Sequence, residues 1–179
     1  MIRLMLPYCD TTSIKTIYFA YFHSLLEYGI AFWGNSTENE KVFKLQKRAI
    51  RLMTGSKSRT SCRPLFPQLG ILTLSSQYIF SLMRFLIQNL ELYTTNSSIH
   101  NHNTRSRIQL HKPSATLALH QKGPYYERIR VCNALPHNIA GLISQKKEFT
   151  TKLKKYLLAK AYYSVQEYMN DHTGRQDEK

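Results

Sequence analysis

From Ile14 to about Phe32 the chain is apolar at almost every position. Ile17, Tyr18, Tyr21, Phe22, Leu25 and Leu26 stand at helical spacing, and Asp10, Thr11, Thr12 and Ser13 offer caps before them. A helix apolar nearly all round is expected to be central and buried. A second helix is predicted from about Glu38 to Thr54, because Thr37 and Glu40 stand at capping-box spacing and Gly55 supplies a stop. Its expected apolar stripe is Val42, Leu45, Ala49, Leu52 and Met53, with Lys41, Lys44, Lys47, Arg48 and Arg51 on much of the remainder. Pro64, Pro67 and Gly70 then break the chain, and a third helix is predicted from Leu74 to about Tyr93, with Tyr78, Leu82, Phe85, Leu86 and Leu90 on its apolar side.

Between Thr94 and Lys112 the residues are mostly Asn, Ser, Thr and His without apolar periodicity, which predicts an exposed loop or linker and the boundary between a region 1–93 and a region 113–179. Beyond it, the short runs Thr116 to Leu119 and Ile129 to Val131, separated by the turn signal Gly123-Pro124, predict short strands. A final helix is expected over about 144–169, capped by Ser144, with Phe149, Leu153, Tyr156, Leu157 and Ala161 opposite Lys147, Lys154 and Lys155. The expected class is mainly α: a small helical bundle, then a mixed segment with short strands and a long C-terminal helix.

Charge changes this picture by its placement. The formal total is +14, and residues 41–60 alone carry +7, whereas 1–40 and 161–179 each sum to −2. Lys41, Lys44, Lys47, Arg48, Arg51, Lys57 and Arg59 form a one-signed run in which no acid intervenes, and Arg105 and Arg107 open a second basic stretch with Lys112, Arg128 and Arg130. Such a field favours a polyanion, either nucleic acid or an anionic surface, and binds it by releasing counterions from phosphates. Tyr125 and Tyr126 suit either stacking on unpaired bases or the core, and the core is the commoner fate.

Candidate chemistry is mostly excluded. A two-metal polymerase needs paired carboxylates, yet the only aspartates are Asp10, Asp171 and Asp177, none adjacent to another. His100 and His102 lack nearby thiolates or carboxylates, and Cys9, Cys62 and Cys132 are too few and too far apart for a zinc site or a disulfide framework. Scattered glycines form no phosphate-cradling loop. No catalytic residue, metal ligand or cofactor is therefore assigned. The three thiols are expected to be free in a reducing compartment, and Thr16 to Gly34, interrupted by His23 and Glu27, is expected to be a buried helix and not a membrane span.

Several short motifs occur in a recognisable order. Ile17-Tyr18-Phe19-Ala20-Tyr21-Phe22-His23-Ser24 is followed by Glu27-Tyr28-Gly29-Ile30 and Phe32-Trp33-Gly34. Then come Leu45-Gln46-Lys47-Arg48-Ala49-Ile50-Arg51, Cys62-Arg63-Pro64-Leu65-Phe66, Asn103-Thr104-Arg105 and Asn133-Ala134-Leu135-Pro136. Phe149, Leu153 and Lys154 precede the closing Tyr163-Ser164-Val165-Gln166-Glu167-Tyr168. Over about residues 14–169 this series resembles the segment that follows the palm in reverse transcriptases of jockey-like non-LTR retrotransposons. The resemblance implies a thumb-like first region that grips RNA or an RNA/DNA template–primer duplex, and a C-terminal extension after it. It further implies that catalysis belongs to a fingers and palm portion absent from this chain, the expected partner within one polyprotein, and that the setting is intracellular, in nucleus and cytoplasm. Cys132 stands where the family often has an aromatic. Two alternatives remain open: a protein-interaction module whose basic face docks an acidic partner, and a transposon relic that binds no nucleic acid.

Overall fold

A computed structural model of the chain describes residues 2–5, 7–99, 107, 109–116 and 123–173. Helices dominate, as the sequence pattern predicts. They run α1 (Ile2–Met5), α2 (Thr11–Ile17), a π-helical turn over Tyr18–His23, α3 (Ser24–Glu27), α4 (Ile30–Trp33), α5 (Asn39–Met53), α6 (Leu65–Leu69), α7 (Leu74–Gln88), a 3₁₀ turn over Leu90–Leu92, α8 (Asn96–Ile99), α9 (Pro124–Asn133), α10 (His137–Ala140), α11 (Lys146–Lys160) and α12 (Val165–Thr173). Among the described residues the only β pairing is an antiparallel bridge between Thr95 and Leu110. The chain forms two units, 1–78 with 155–165 and 79–154 with 166–179.

In the first unit Asp10 caps α2, its carboxylate accepting from the backbone N–H groups of Thr12 and Ser13 at 3.2 and 3.3 Å. The helix continues through the π turn to Glu27 and breaks at Gly29, whose φ of 65° suits a residue without Cβ. The expectation that this segment is buried all round fails. Ile14, Tyr18, Leu26 and Ile30 are in the core, but Tyr21, Leu25, Tyr28 and Phe32 are between 60% and 86% exposed. A run that is apolar on every side conceals which side packs.

α5 likewise buries a different stripe from the one expected. Phe43, Gln46, Ala49, Ile50 and Met53 are inside, while Leu45 is 56% exposed. Positions 43, 46, 50 and 53 satisfy helical spacing as well as the expected set does, but the polar Gln46 hides the pattern. Gln46 is 1% exposed and fully used. Its Nε2 donates to the Tyr18 hydroxyl at 3.0 Å and to the Leu72 carbonyl at 2.9 Å, and its Oε1 accepts from the Leu74 N–H at 2.9 Å. One carboxamide thereby ties α5 to the π turn, to the link 71–73 and to the start of α7. Thr73 caps α7 by accepting from the Ser76 N–H at 3.2 Å, and it donates to the Tyr162 carbonyl.

That last contact belongs to a break in the predicted final helix. α11 stops at Lys160, Ala161 takes a φ of 48°, and α12 starts at Val165. Ser75 Oγ holds the same turn by donating to the Tyr163 carbonyl at 3.0 Å.

In the second unit the predicted strand Ile129 to Val131 is part of α9. Gly123 is extended (φ −70°, ψ 159°) and Pro124 opens the first helical turn, where a missing N–H costs nothing, so the glycine–proline pair starts a helix and makes no hairpin. Thr116 is described and non-helical, whereas Leu117 to Leu119 lie outside the described residues. Asn133 ends α9 with a two-point bond to the backbone of Leu110, 2.9 Å from its N–H and 3.0 Å to its carbonyl, and the Tyr168 hydroxyl donates to the Val131 carbonyl at 3.1 Å. Phe149, Leu153, Leu82, Met83 and Leu86 are fully buried.

Replacing Gln46 by Leu leaves a buried carbonyl and a buried N–H without partners, each worth roughly 1–3 kcal/mol. The variant is expected to lose about 3 kcal/mol in denaturant unfolding and about 6–12 °C in Tm, whereas Leu45→Ser changes stability by less than about 0.5 kcal/mol. A Gln46→Leu protein within about 1 kcal/mol of the parent would contradict the clamp. Burial pushes the Tyr18 hydroxyl up to about 12, against the opposing hydrogen bond from Gln46. Because the folded value exceeds the unfolded one near 10, this contribution is complete below about pH 10 and is lost as pH rises towards 12. Unfolding titrations are expected to show the parent losing on the order of 2 kcal/mol more than Tyr18→Phe across that window.

Candidate nucleic-acid interface

The residues that face away from the clamp on α5 carry the positive charge, and they fall into two groups. In the first turn the acids reach forward: Glu38 pairs with Lys41 at 2.6 Å and Glu40 with Lys44 at 2.8 Å. The expected capping box does not form, since no side chain caps the helix and Glu40 is turned to Lys44. A hydrogen bond from Lys44 and its charge hold the Glu40 carboxyl below its usual range. Both pairs are exposed and add little stability, but they neutralise that end of the basic run.

The second half of α5 differs. Lys47 is half-buried, with Nζ 4.6 Å from the centroid of Phe43 and 5.5 Å from that of Tyr163. The Arg63 guanidinium lies 4.4 Å from the same Tyr163 ring. Phe43 meets Tyr163 edge to face at 4.9 Å, and Phe66 stacks behind Phe43 at 6.2 Å. Arg51 donates from Nε to the Thr60 carbonyl at 2.9 Å, which fastens the loop after α5 to the helix, and the Cys62 thiol donates to the Lys47 carbonyl at 3.5 Å. Three cations, Lys47, Arg51 and Arg63, thus converge on a half-buried tyrosine and a buried thiol. Their field shows in both groups. Burial raises the Cys62 thiol while Arg51 and Lys47 oppose it, and burial, then Cys62, raises the Tyr163 hydroxyl against Arg63 and Arg51.

Of the remaining expected residues, Arg48, Lys57 and Arg59 are exposed along the same helix and loop, and among the described residues no ion pair holds Lys47, Arg48, Arg51, Lys57 or Arg59. Arg107 is exposed in the second unit, its carbonyl accepting from Ser97 N–H at 3.1 Å. Arg105 lies outside the described residues, as do His100, His102 and the Asn103-Thr104-Arg105 element. Tyr125 stacks on Tyr93 within the protein, 5.3 Å apart at 8°. Arg63 and Tyr163 were not expected as site residues. Arg63 is one cation isolated between Cys62 and Pro64, and Tyr163 lies far along the chain from Lys47, so no local spacing links them.

Elsewhere, burial pushes the Cys132 thiol up to about 12, which leaves it protonated at neutral pH. Among the described residues no group of three or more His, Cys, Asp or Glu could hold a metal ion, and no helix is long and apolar enough to cross a membrane. No protein-family model, curated protein or solved structure matches the chain.

The ring–cation contact has a measurable strength. A double-mutant cycle with Arg63→Met and Tyr163→Leu is expected to give a coupling of about 0.5–1 kcal/mol that fades little with salt, and a coupling near zero would show that the guanidinium merely passes over the ring.

Proposed function

We propose that this chain is a noncatalytic nucleic-acid-gripping module, the thumb and C-terminal extension of a non-LTR retrotransposon reverse transcriptase, which holds RNA or an RNA/DNA duplex with the second half of α5 and the loop after it. The observation that carries the reading is that Lys47 and Arg51, which have no ion pair among the described residues, are braced by aromatic rings and a backbone carbonyl, with the Arg63 guanidinium over the same Tyr163 ring. Braced cations lose little side-chain freedom on meeting a phosphate, and a one-signed surface of this kind attracts phosphates without reading bases. The three scattered aspartates supply no two-metal centre, so in this reading polymerisation belongs to a separate fingers and palm portion. The exposed Tyr21, Leu25, Tyr28 and Phe32 support the same reading, since so many large apolar side chains left in water within twelve residues suit contact with another protein part. The module would work in the nucleus and cytoplasm, where such a polyprotein acts.

The structure's geometry ranks the basic residues for the test. Binding to an RNA/DNA duplex, followed by fluorescence anisotropy, is expected to weaken by about 100-fold or more between about 50 and 200 mM salt, as four or five phosphate contacts require. Changing Lys47, Arg48, Arg51 and Arg63 together to Glu is expected to abolish binding, while Lys41→Ala with Lys44→Ala weakens it by less than about threefold because their charges are already paired. A fourfold variant that binds like the parent would refute the interface. Binding of an acidic protein with none to RNA or heparin would favour the interaction-module alternative.

A further inference from the structure

A second cation stands out for the opposite reason: it is buried and, among the described residues, has no ion pair. Arg128, on α9 in the second unit, is 8% exposed, and its Nε is buried without a hydrogen-bond partner. Its guanidinium carbon lies 3.9 Å from the centroid of Phe85, the shortest such approach among the described residues. The neighbouring acid is already engaged, because Glu127 binds Arg130 at 2.9 Å. The hydroxyl of Tyr93 lies against the same guanidinium, yet it too is buried without a hydrogen bond of good geometry. Tyr93 is held in place by stacking on Tyr125, and Lys112, whose Nζ sits 6.0 Å from the Tyr126 ring, acts with Arg130 on Glu127.

Taking a guanidinium out of water without an anion costs more than stacking on one aromatic ring returns. The one nearby carboxylate, Glu127, is already matched by Arg130 and Lys112, so the Arg128 charge is left over. The two buried polar groups without a hydrogen-bond partner are donors: the Arg128 Nε–H and, beside it, the Tyr93 phenolic O–H. A carboxylate offers two coplanar oxygens, which the guanidinium alone would occupy. A phosphate offers oxygens out of that plane, so one can receive the hydroxyl while another meets the fork. We propose that Arg128 and Tyr93 form a phosphate-binding site in the second unit, separate from the α5 surface and not dependent on it.

The test uses the full chain and inorganic phosphate at constant ionic strength. Parent protein is expected to show a saturable rise in Tm with phosphate that chloride and acetate do not reproduce, and the fourfold α5 variant is expected to keep it. Arg128→Met is expected to melt no lower than the parent in chloride, because it removes an uncompensated buried charge, and to lose the saturable phosphate shift. Tyr93→Phe is expected to keep the chloride Tm and raise the phosphate midpoint threefold or more, which covers the case in which Arg128→Met fails to fold. A phosphate shift retained in Arg128→Met, an unchanged midpoint in Tyr93→Phe, or equal stabilisation by acetate would each overturn the proposal. Methyl phosphate and dimethyl phosphate separate the sources: protection by the monoester alone assigns the site to a free or terminal phosphate, and protection by both assigns it to a nucleic-acid backbone.

Discussion

Everything described in the first unit depends on one buried carboxamide. Gln46 spends both donor protons and its acceptor on three other segments, Tyr18 in the π turn, Leu72 in the link and Leu74 at the head of α7. A hydrogen bond between neutral groups is modest in net terms, but leaving its partners unmade inside a core is costly, so the group acts as a registration device. It sets the rotation of α5 about its axis. With Gln46 turned inward, Phe43, Ile50 and Met53 must follow it, and Lys47, Arg48 and Arg51 are delivered to the outside.

The outward face then acquires its character from what lies beside it. At its start, acids three and four residues away quench Lys41 and Lys44. Further on, the neighbours are rings: Phe43 from the helix itself and Tyr163 from the turn after α11, with Arg63 on the ring's other approach. A cation over a ring keeps its whole charge available to a ligand, whereas a cation paired with a carboxylate does not. On that difference, and not on the count of basic residues, rests the proposal that the second half of α5 and the loop behind it meet a polyanion. The turn that places Tyr163 is itself fixed from α7, through Thr73 and Ser75, so the inner and outer faces share supports.

The helical class, the Asp10 cap and the positions of the longest helices were legible in the sequence because spacing and capping are local signals. Rotation was not. Gln46 reads as surface until its three partners are known, and the apolar run 14–32 gives no hint that Tyr21, Leu25, Tyr28 and Phe32 stay uncovered. The short run Ile129 to Val131 after Gly123-Pro124 read as a strand because the helix it belongs to buries polar Glu127 and Arg128, which hides its helical spacing. In the basic run the charges were visible and their pairing was not: Glu38 and Glu40 precede the lysines in sequence yet reach them in space. Arg63 and Tyr163 needed the fold to bring them together.

Resolving a bound duplex onto individual residues tests the central claim most directly. Titrating isotopically labelled protein with a short RNA/DNA duplex, and following backbone and side-chain resonances, is expected to shift Lys47, Arg48, Arg51, Lys57, Arg59, Arg63 and the Tyr163 ring while leaving Tyr21, Leu25 and Phe32 unmoved. Shifts centred on that apolar face, or none on α5 at saturating duplex, would contradict it.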